Sequence, residues 1–125
     1  MSYHLVFKEQ DSLLIVEASG DRAKGSPEQN AKETWQEITT QCQHRGATRV
    51  LILSRVSGEY PTLDAYKVST LFEQLGVDKR WKLAFVHLDN SPGTGIQFAA
   101  TVAMNRGFMF QFFTDEKSAR KWLSA

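Results

Sequence analysis

Hydrophobic positions along this chain change their period several times, and each change marks an element. Residues 3–7 and 13–18 are short runs of β-forming residues. The polar stretch Lys8-Glu9-Gln10-Asp11-Ser12 between them predicts two strands joined closely enough to pair antiparallel. Ser19-Gly20-Asp21 ends the second strand. Ser26-Pro27-Glu28-Gln29 then has the form of a helix start, with Ser at the N-cap, Pro at the first position and Gln at the third. Ala31, Trp35, Ile38 and Cys42 recur at helical spacing behind it, and Gly46 supplies a left-handed stop. Residues 50–53 and 83–86 are short and continuously apolar, as strands covered on both faces are. Between them Ala65, Val68, Leu71, Phe72 and Leu75 predict a helix, with Thr62 as its N-cap and Gly76 as its stop. Ile96, Ala99, Ala100 and Ala103 predict a third helix with a small face that lets it sit close to a sheet, ending at Gly107. A strand over residues 108–113 and a last helix carrying Ala119, Trp122 and Leu123, capped by Thr114 or Asp115, complete the chain.

The order is ββαβαβαβα. Repeated strand–helix–strand units imply an α/β fold with a mostly parallel sheet, an antiparallel N-terminal edge pair and about four helices. The length of 125 residues, with 42% hydrophobic and 23% charged, suits one globular domain over residues 1–125. Charge and cysteine content narrow the partners. Fifteen basic residues against fourteen acidic ones leave +1, so no net field recruits nucleic acid or a membrane surface. No apolar run approaches the roughly 20 residues of a spanning helix, which speaks against integral membrane association. The N-terminus does not read as a secretory signal. Cys42 is the sole cysteine, so no internal disulfide can form, and the expected compartment is a reducing cytoplasm.

Candidate chemistry gathers where parallel strands end. In open α/β sheets, ligands bind beyond the carboxyl ends of the strands, near a switch in strand order. That rule selects residues 54–60 and 87–95, and within them Ser57, Glu59, Tyr60, His87, Asp89, Thr94 and Gly95 as ligand-binding candidates. Gly93 and Gly95 flank Thr94 just before a helix, where backbone N–H groups can hold an anion, although the segment reads first as a turn with Thr94 as N-cap. It matches neither a phosphate-binding Gly-Lys-Ser/Thr loop nor a dinucleotide fingerprint. His4, His44 and His87 are scattered and lack metal-ligand spacing, so no metal and no cofactor is expected. His87 and Asp89, two apart at a strand end, can orient an imidazole, but a partly buried structural histidine is the simpler reading. Cys42 lies on an apolar helical stripe and reads as core, not as a nucleophile paired with His44. Lys79-Arg80-Trp81-Lys82 is a small basic cluster, read as a solvated approach to a strand. Trp35, Trp122 and the Phe residues of 108–113 read as core, with an apolar cavity or a dimer face as alternatives for the Phe-rich strand.

The last third of the chain also carries a family resemblance. The carrying segments are Arg80-Trp81-Lys82-Leu83-Ala84-Phe85-Val86, Phe98-Ala99-Ala100, Asn105-Arg106-Gly107, Phe112-Phe113-Thr114-Asp115-Glu116 and Ala119-Arg120-Lys121-Trp122-Leu123. Together with the element order they resemble the SpoIIAA-like, STAS/SEC14-related bacterial proteins. The resemblance implies a central sheet with helices packed on it, in a small non-catalytic module that is often dimeric. Related STAS antagonists carry an Asp-Ser-Ser-Gly helix start with a phosphorylated serine. This chain reads Tyr60-Pro61-Thr62-Leu63-Asp64 there, and Thr62 is the nearest hydroxyl and the one candidate phosphosite.

The expected function is thus a non-enzymatic cytoplasmic interaction module that docks on a protein partner, with a homodimer as the candidate assembly. The alternative is a carrier or sensor of a small apolar, lipid-like or anionic ligand, resting on the Phe-rich strand and the glycine-bearing loop. An enzyme built on His87 and Asp89 ranks last, because no nucleophile or cofactor motif stands beside them.

Overall fold

A computed structural model describes residues 3–125. The elements follow the order β1 (His4–Gln10), β2 (Leu13–Asp21), α1 (Pro27–Arg45), β3 (Arg49–Ser57), α2 (Thr62–Leu75), β4 (Lys82–His87), α3 (Thr94–Asn105), β5 (Met109–Phe113) and α4 (Glu116–Ser124). The five strands form one sheet in the order β1-β2-β3-β4-β5. β1 runs antiparallel to β2, and every other neighbouring pair is parallel.

The hairpin is tighter than the sequence suggested. Its turn is Asp11-Ser12 alone, with φ of 55° and 65°. Two successive positive φ values match the right-handed twist of paired strands, so Lys8, Glu9 and Gln10 join the ladder. Polar residues are tolerated there because β1 is an edge strand with one face in water.

Strand alternation divides the core in two. Leu14 and Val16, Val50 and Ile52, Leu83 and Phe85, and Phe110 point to one face and pack under α1, α2 and α3. Leu13, Ile15, Leu51, Leu53, Ala84 and Val86 point to the other, where Ala119 and Leu123 of α4 cover them. Strands that advance in order, joined by crossovers of one hand, deliver all three connecting helices to the same face. Only α4, which follows the last strand, is free to close the opposite side.

The first face is centred on aromatic rings. Trp35 meets Phe72 edge-on with centroids 4.7 Å apart, and Phe110 lies 5.3 Å from Trp35 and 5.5 Å from Phe72. Ala99, Ala100 and Ala103 let α3 lie close to the sheet, as their size predicted.

Capping follows the sequence at two helices and departs from it at two. Ser26 caps α1 by accepting from the Gln29 amide, and Asp115 caps α4 by accepting from the Ser118 amide. At α2 the N-cap is Pro61, and Thr62 is already the first helical residue. Pro61 holds φ at −61° with an extended ψ of 138°, so the chain turns into the helix one residue early. At α3 the N-cap is Gly93, and Thr94 is helical. Its hydroxyl donates to the Glu59 carboxylate at 3.0 Å and not to its own helix.

Candidate functional site

The strand order never reverses, so the fold has no topological switch point. A cavity nevertheless opens near the carboxyl ends of β2 and β3, for a local reason. Ala18 and Ser54 are register neighbours on the helix-covered face, and Ala31 and Ala99 stand opposite on α1 and α3. Four small side chains leave a space of about 50 Å³ bounded by Tyr3, Arg22, Trp35, Tyr60, Phe85 and Phe110.

Arg22 is the unusual member of that lining. It is the first residue after β2, and its side chain turns inward to 6% exposure. Its Nη1 donates to Gly58 O at 2.6 Å and to Val56 O at 3.2 Å. Its own amide donates to Ser57 O at 2.9 Å. Those bonds staple the β3–α2 connection to the end of β2. Gly58 fits this approach, because its φ is 92° and an added Cβ would lie 3.3 Å from Arg22 Cβ.

The other edge of the guanidinium, Nε and Nη2, has no hydrogen-bond partner among the described residues, and no carboxylate there lies within ion-pair distance. Burial pulls the Arg22 pKa down, against opposing pulls from Tyr3, Tyr60 and Asp89. Burial pushes the hydroxyls of Tyr3 and Tyr60 up, so both are neutral donors at physiological pH. Ser54 is 1% exposed, and its hydroxyl oxygen accepts from the Val56 amide at 3.3 Å.

The residues picked out by sequence share this end of the sheet but do not form one site. Tyr60 lines the inner cavity and also an outer groove with Glu59, Thr62, Thr94, Gly95 and Phe98. Ser57 donates to Gly20 O at 3.2 Å and ties β3 to β2. Gly95 is pressed against the Tyr60 backbone, since an added Cβ would sit 1.9 Å from Tyr60 O. Thr62 is exposed at the first turn of α2.

His87 and Asp89 do not bond to each other. The His87 Nε2 lies 2.6 Å from Ser91 O. A carbonyl can only accept, so the proton is on Nε2. The Nδ1 atom is buried without a partner among the described residues, and the ring stacks on Phe112. Asp89 accepts from the Ser91 hydroxyl and from the Ser91 amide at 2.9 Å. These two bonds hold the Asp89 carboxyl below its ordinary value. A lowered pKa means the loop clasp is fully formed above the usual aspartate pKa of about 3.9 and is lost as pH falls through the folded value. A carbon-13 titration of Asp89 is expected to show a midpoint below about 3.9. Ser91→Ala should move that midpoint upward, and an unchanged one would mean that Ser91 does not hold the carboxylate.

The remaining sequence candidates are accounted for elsewhere. Lys79 and Lys82 lie over the Phe108 and Trp122 rings, and Arg80 forks onto Asp78. They sit at the amino end of β4, away from the cavity. His4 and His44 are exposed on β1 and α1. Cys42 is buried in the aromatic face, and desolvation pushes its thiol up to about 11. The folded protein at pH 8 is expected to react with a thiol reagent at least about 100-fold more slowly than the unfolded chain, since only the exposed thiolate attacks. Rapid labelling in native buffer would show that α1 opens.

Among the described residues, no cluster of three or more His, Cys, Asp and Glu side chains is placed to hold a metal. No helix among them is long and apolar enough to cross a membrane.

Arg22, Tyr3 and Ser54 were not singled out by the sequence. The signal for Arg22 was available: β2 is itself a parallel strand, and Gly20-Asp21-Arg22 is its carboxyl end. The chain matches no protein-family model and no curated protein.

Proposed function

We propose that this chain is a non-enzymatic binding module that holds a small anion in the cavity beside Arg22, as a sensor or carrier. The observation that carries the reading is Arg22 in the lining of this cavity, with Nη1 held by two carbonyls and no hydrogen bond at Nε or Nη2 among the described residues. Withdrawing a charge from water is costly unless it is paired, and two backbone carbonyls compensate only one side of the group. An anion at the free edge completes it. The STAS-like, SpoIIAA-like assignment belongs to the same proposal. It is supported by the ββαβαβαβα order, with α4 alone on the second face. A lipid-like ligand fits less well, because Phe108 and Phe110 are each packed against the Phe72 ring and the cavity is far below the roughly 300 Å³ of ordinary ligand pockets.

The test is thermal unfolding in sodium formate, acetate, nitrate and chloride at matched ionic strength. A ligand of the native state raises the midpoint by mass action. One or more of the first three is expected to raise it above the chloride reference, and Arg22→Gln should remove the increment. Equal midpoints in all four salts would end this reading.

The interaction-module reading keeps one specific support. Leu63 and Tyr66 on α2 are 76% and 59% exposed, and Tyr66 stacks edge-on against Phe98 of α3. Apolar surface gathered this way is the kind that contacts another protein. Sedimentation of the wild type beside a Leu63→Ser, Tyr66→Ser variant tests it: a mass that falls in the variant supports contact between copies.

A further inference from the structure

Resting on the small-anion reading, we infer that the cavity selects a short-chain monocarboxylate of two or three carbons, its carboxylate on the Arg22 fork and its tail on the aromatic floor. Three features of the lining set this class.

The first is size. A water-sized group needs roughly 10–15 Å³ of such space. The cavity offers about 50 Å³, which is room for about three to five heavy atoms. Acetate has four and propionate five. Sugars, nucleotides and fatty acids are excluded.

The second is charge. Among the lining residues only Arg22 is ionised at neutral pH, since both tyrosines are held neutral by burial. A single positive charge balances a monoanion. Phosphate or sulfate would bring a second charge with no partner.

The third is shape. Nε and Nη2 present two parallel N–H groups, which match the two oxygens of a planar carboxylate. The chain already shows this fit elsewhere, where Arg80 grips Asp78 through Nε at 3.0 Å and Nη2 at 2.7 Å. Beyond the fork the lining turns apolar, with Ile52, Phe85 and Phe110 on the sheet and Ile96 and Ala99 on α3. A headgroup with no tail leaves those surfaces facing empty space. The Tyr60 hydroxyl carries no hydrogen bond among the described residues and is a further donor in the lining.

The experiment is calorimetric titration of the full chain with formate, acetate, propionate, butyrate, nitrate and inorganic phosphate at constant ionic strength. Acetate and propionate should bind one to one and roughly tenfold more tightly than formate or nitrate, the usual worth of an added methyl group in a fitted pocket. Butyrate should bind more weakly than propionate, and phosphate should give no heat beyond dilution. Arg22→Gln loses structural bonds as well as charge, so the decisive variant is Ala18→Val. It fills the cavity from the sheet side and leaves the guanidinium in place. It should stay folded and lose carboxylate binding. If nitrate binds as tightly as acetate, the carboxylate class is wrong; if formate does, the choice of a two- or three-carbon tail is wrong; in either case the small-anion reading stands. If no anion binds the wild type, both fail. Carboxylate binding that survives in Ala18→Val would place the site elsewhere and overturn the inference.

Discussion

Gly95→Ala is expected to destabilise the protein by about 3 kcal/mol or more, read as a fall in the urea midpoint at unchanged slope. A Cβ at this position would stand 1.9 Å from Tyr60 O and 2.8 Å from Tyr60 C. Both are backbone atoms, so no side chain can rotate away. Either the start of α3 or the connection between β3 and α2 must shift by more than an ordinary packing adjustment. That shift also moves Tyr60, which borders the cavity beside Arg22. Anion binding should fall together with stability. Gly93→Ala is the internal control. Its Cβ would meet Phe112 Cζ at 2.7 Å and His87 Cδ2 at 3.1 Å, which are ring edges that can tilt. Its cost should be clearly smaller than that of Gly95→Ala. Equal costs, or a loss below about 1 kcal/mol for Gly95→Ala, would mean that α3 and the Tyr60 backbone do not press together as described.

That pair of glycines also shows what a sequence conveys about a site. Gly-Thr-Gly before a helix suggests backbone N–H groups cradling an anion, because local pattern records conformational freedom. It does not record which other segment lies against the glycine. Tyr60 is 35 positions away in the chain and reaches Gly95 only through the packing of α2 on α3. Features with a local cause were legible. Ser26-Pro27 and Asp115 mark true helix starts, the small face of α3 foretold its closeness, and the period-two and period-3.6 stretches became the expected elements in the expected order. Thr62 and Thr94 were placed one position out, because Pro61 and the Glu59 carboxylate decide those starts. The cavity was hidden for a different reason. It is the coincidence of four small residues, Ala18, Ala31, Ser54 and Ala99, from four elements whose register no single stretch specifies. Arg22 is buried by the β3–α2 connection that folds over it, which no local pattern around residue 22 records.

Phe110→Ala should cost about 3–5 kcal/mol, the usual range for emptying a buried phenyl site. Phe110 is 1% exposed and is the ring that joins the cavity to the aromatic core, with Trp35, Phe72 and Phe85 around it at 5.3, 5.5 and 6.3 Å. Domains of this kind have roughly 5–15 kcal/mol in hand, so the variant should remain folded at low temperature while its urea midpoint drops steeply. Its second consequence separates core from site. Removing the ring extends the space beside Arg22 without touching the guanidinium fork, so butyrate and longer monocarboxylates should now bind more tightly than acetate. A variant that loses stability but keeps the acetate preference would show that the neighbouring rings have collapsed into the gap. A variant whose preference moves to longer chains would show that the aromatic floor, and not the charged end, sets the length of ligand that the fold accepts.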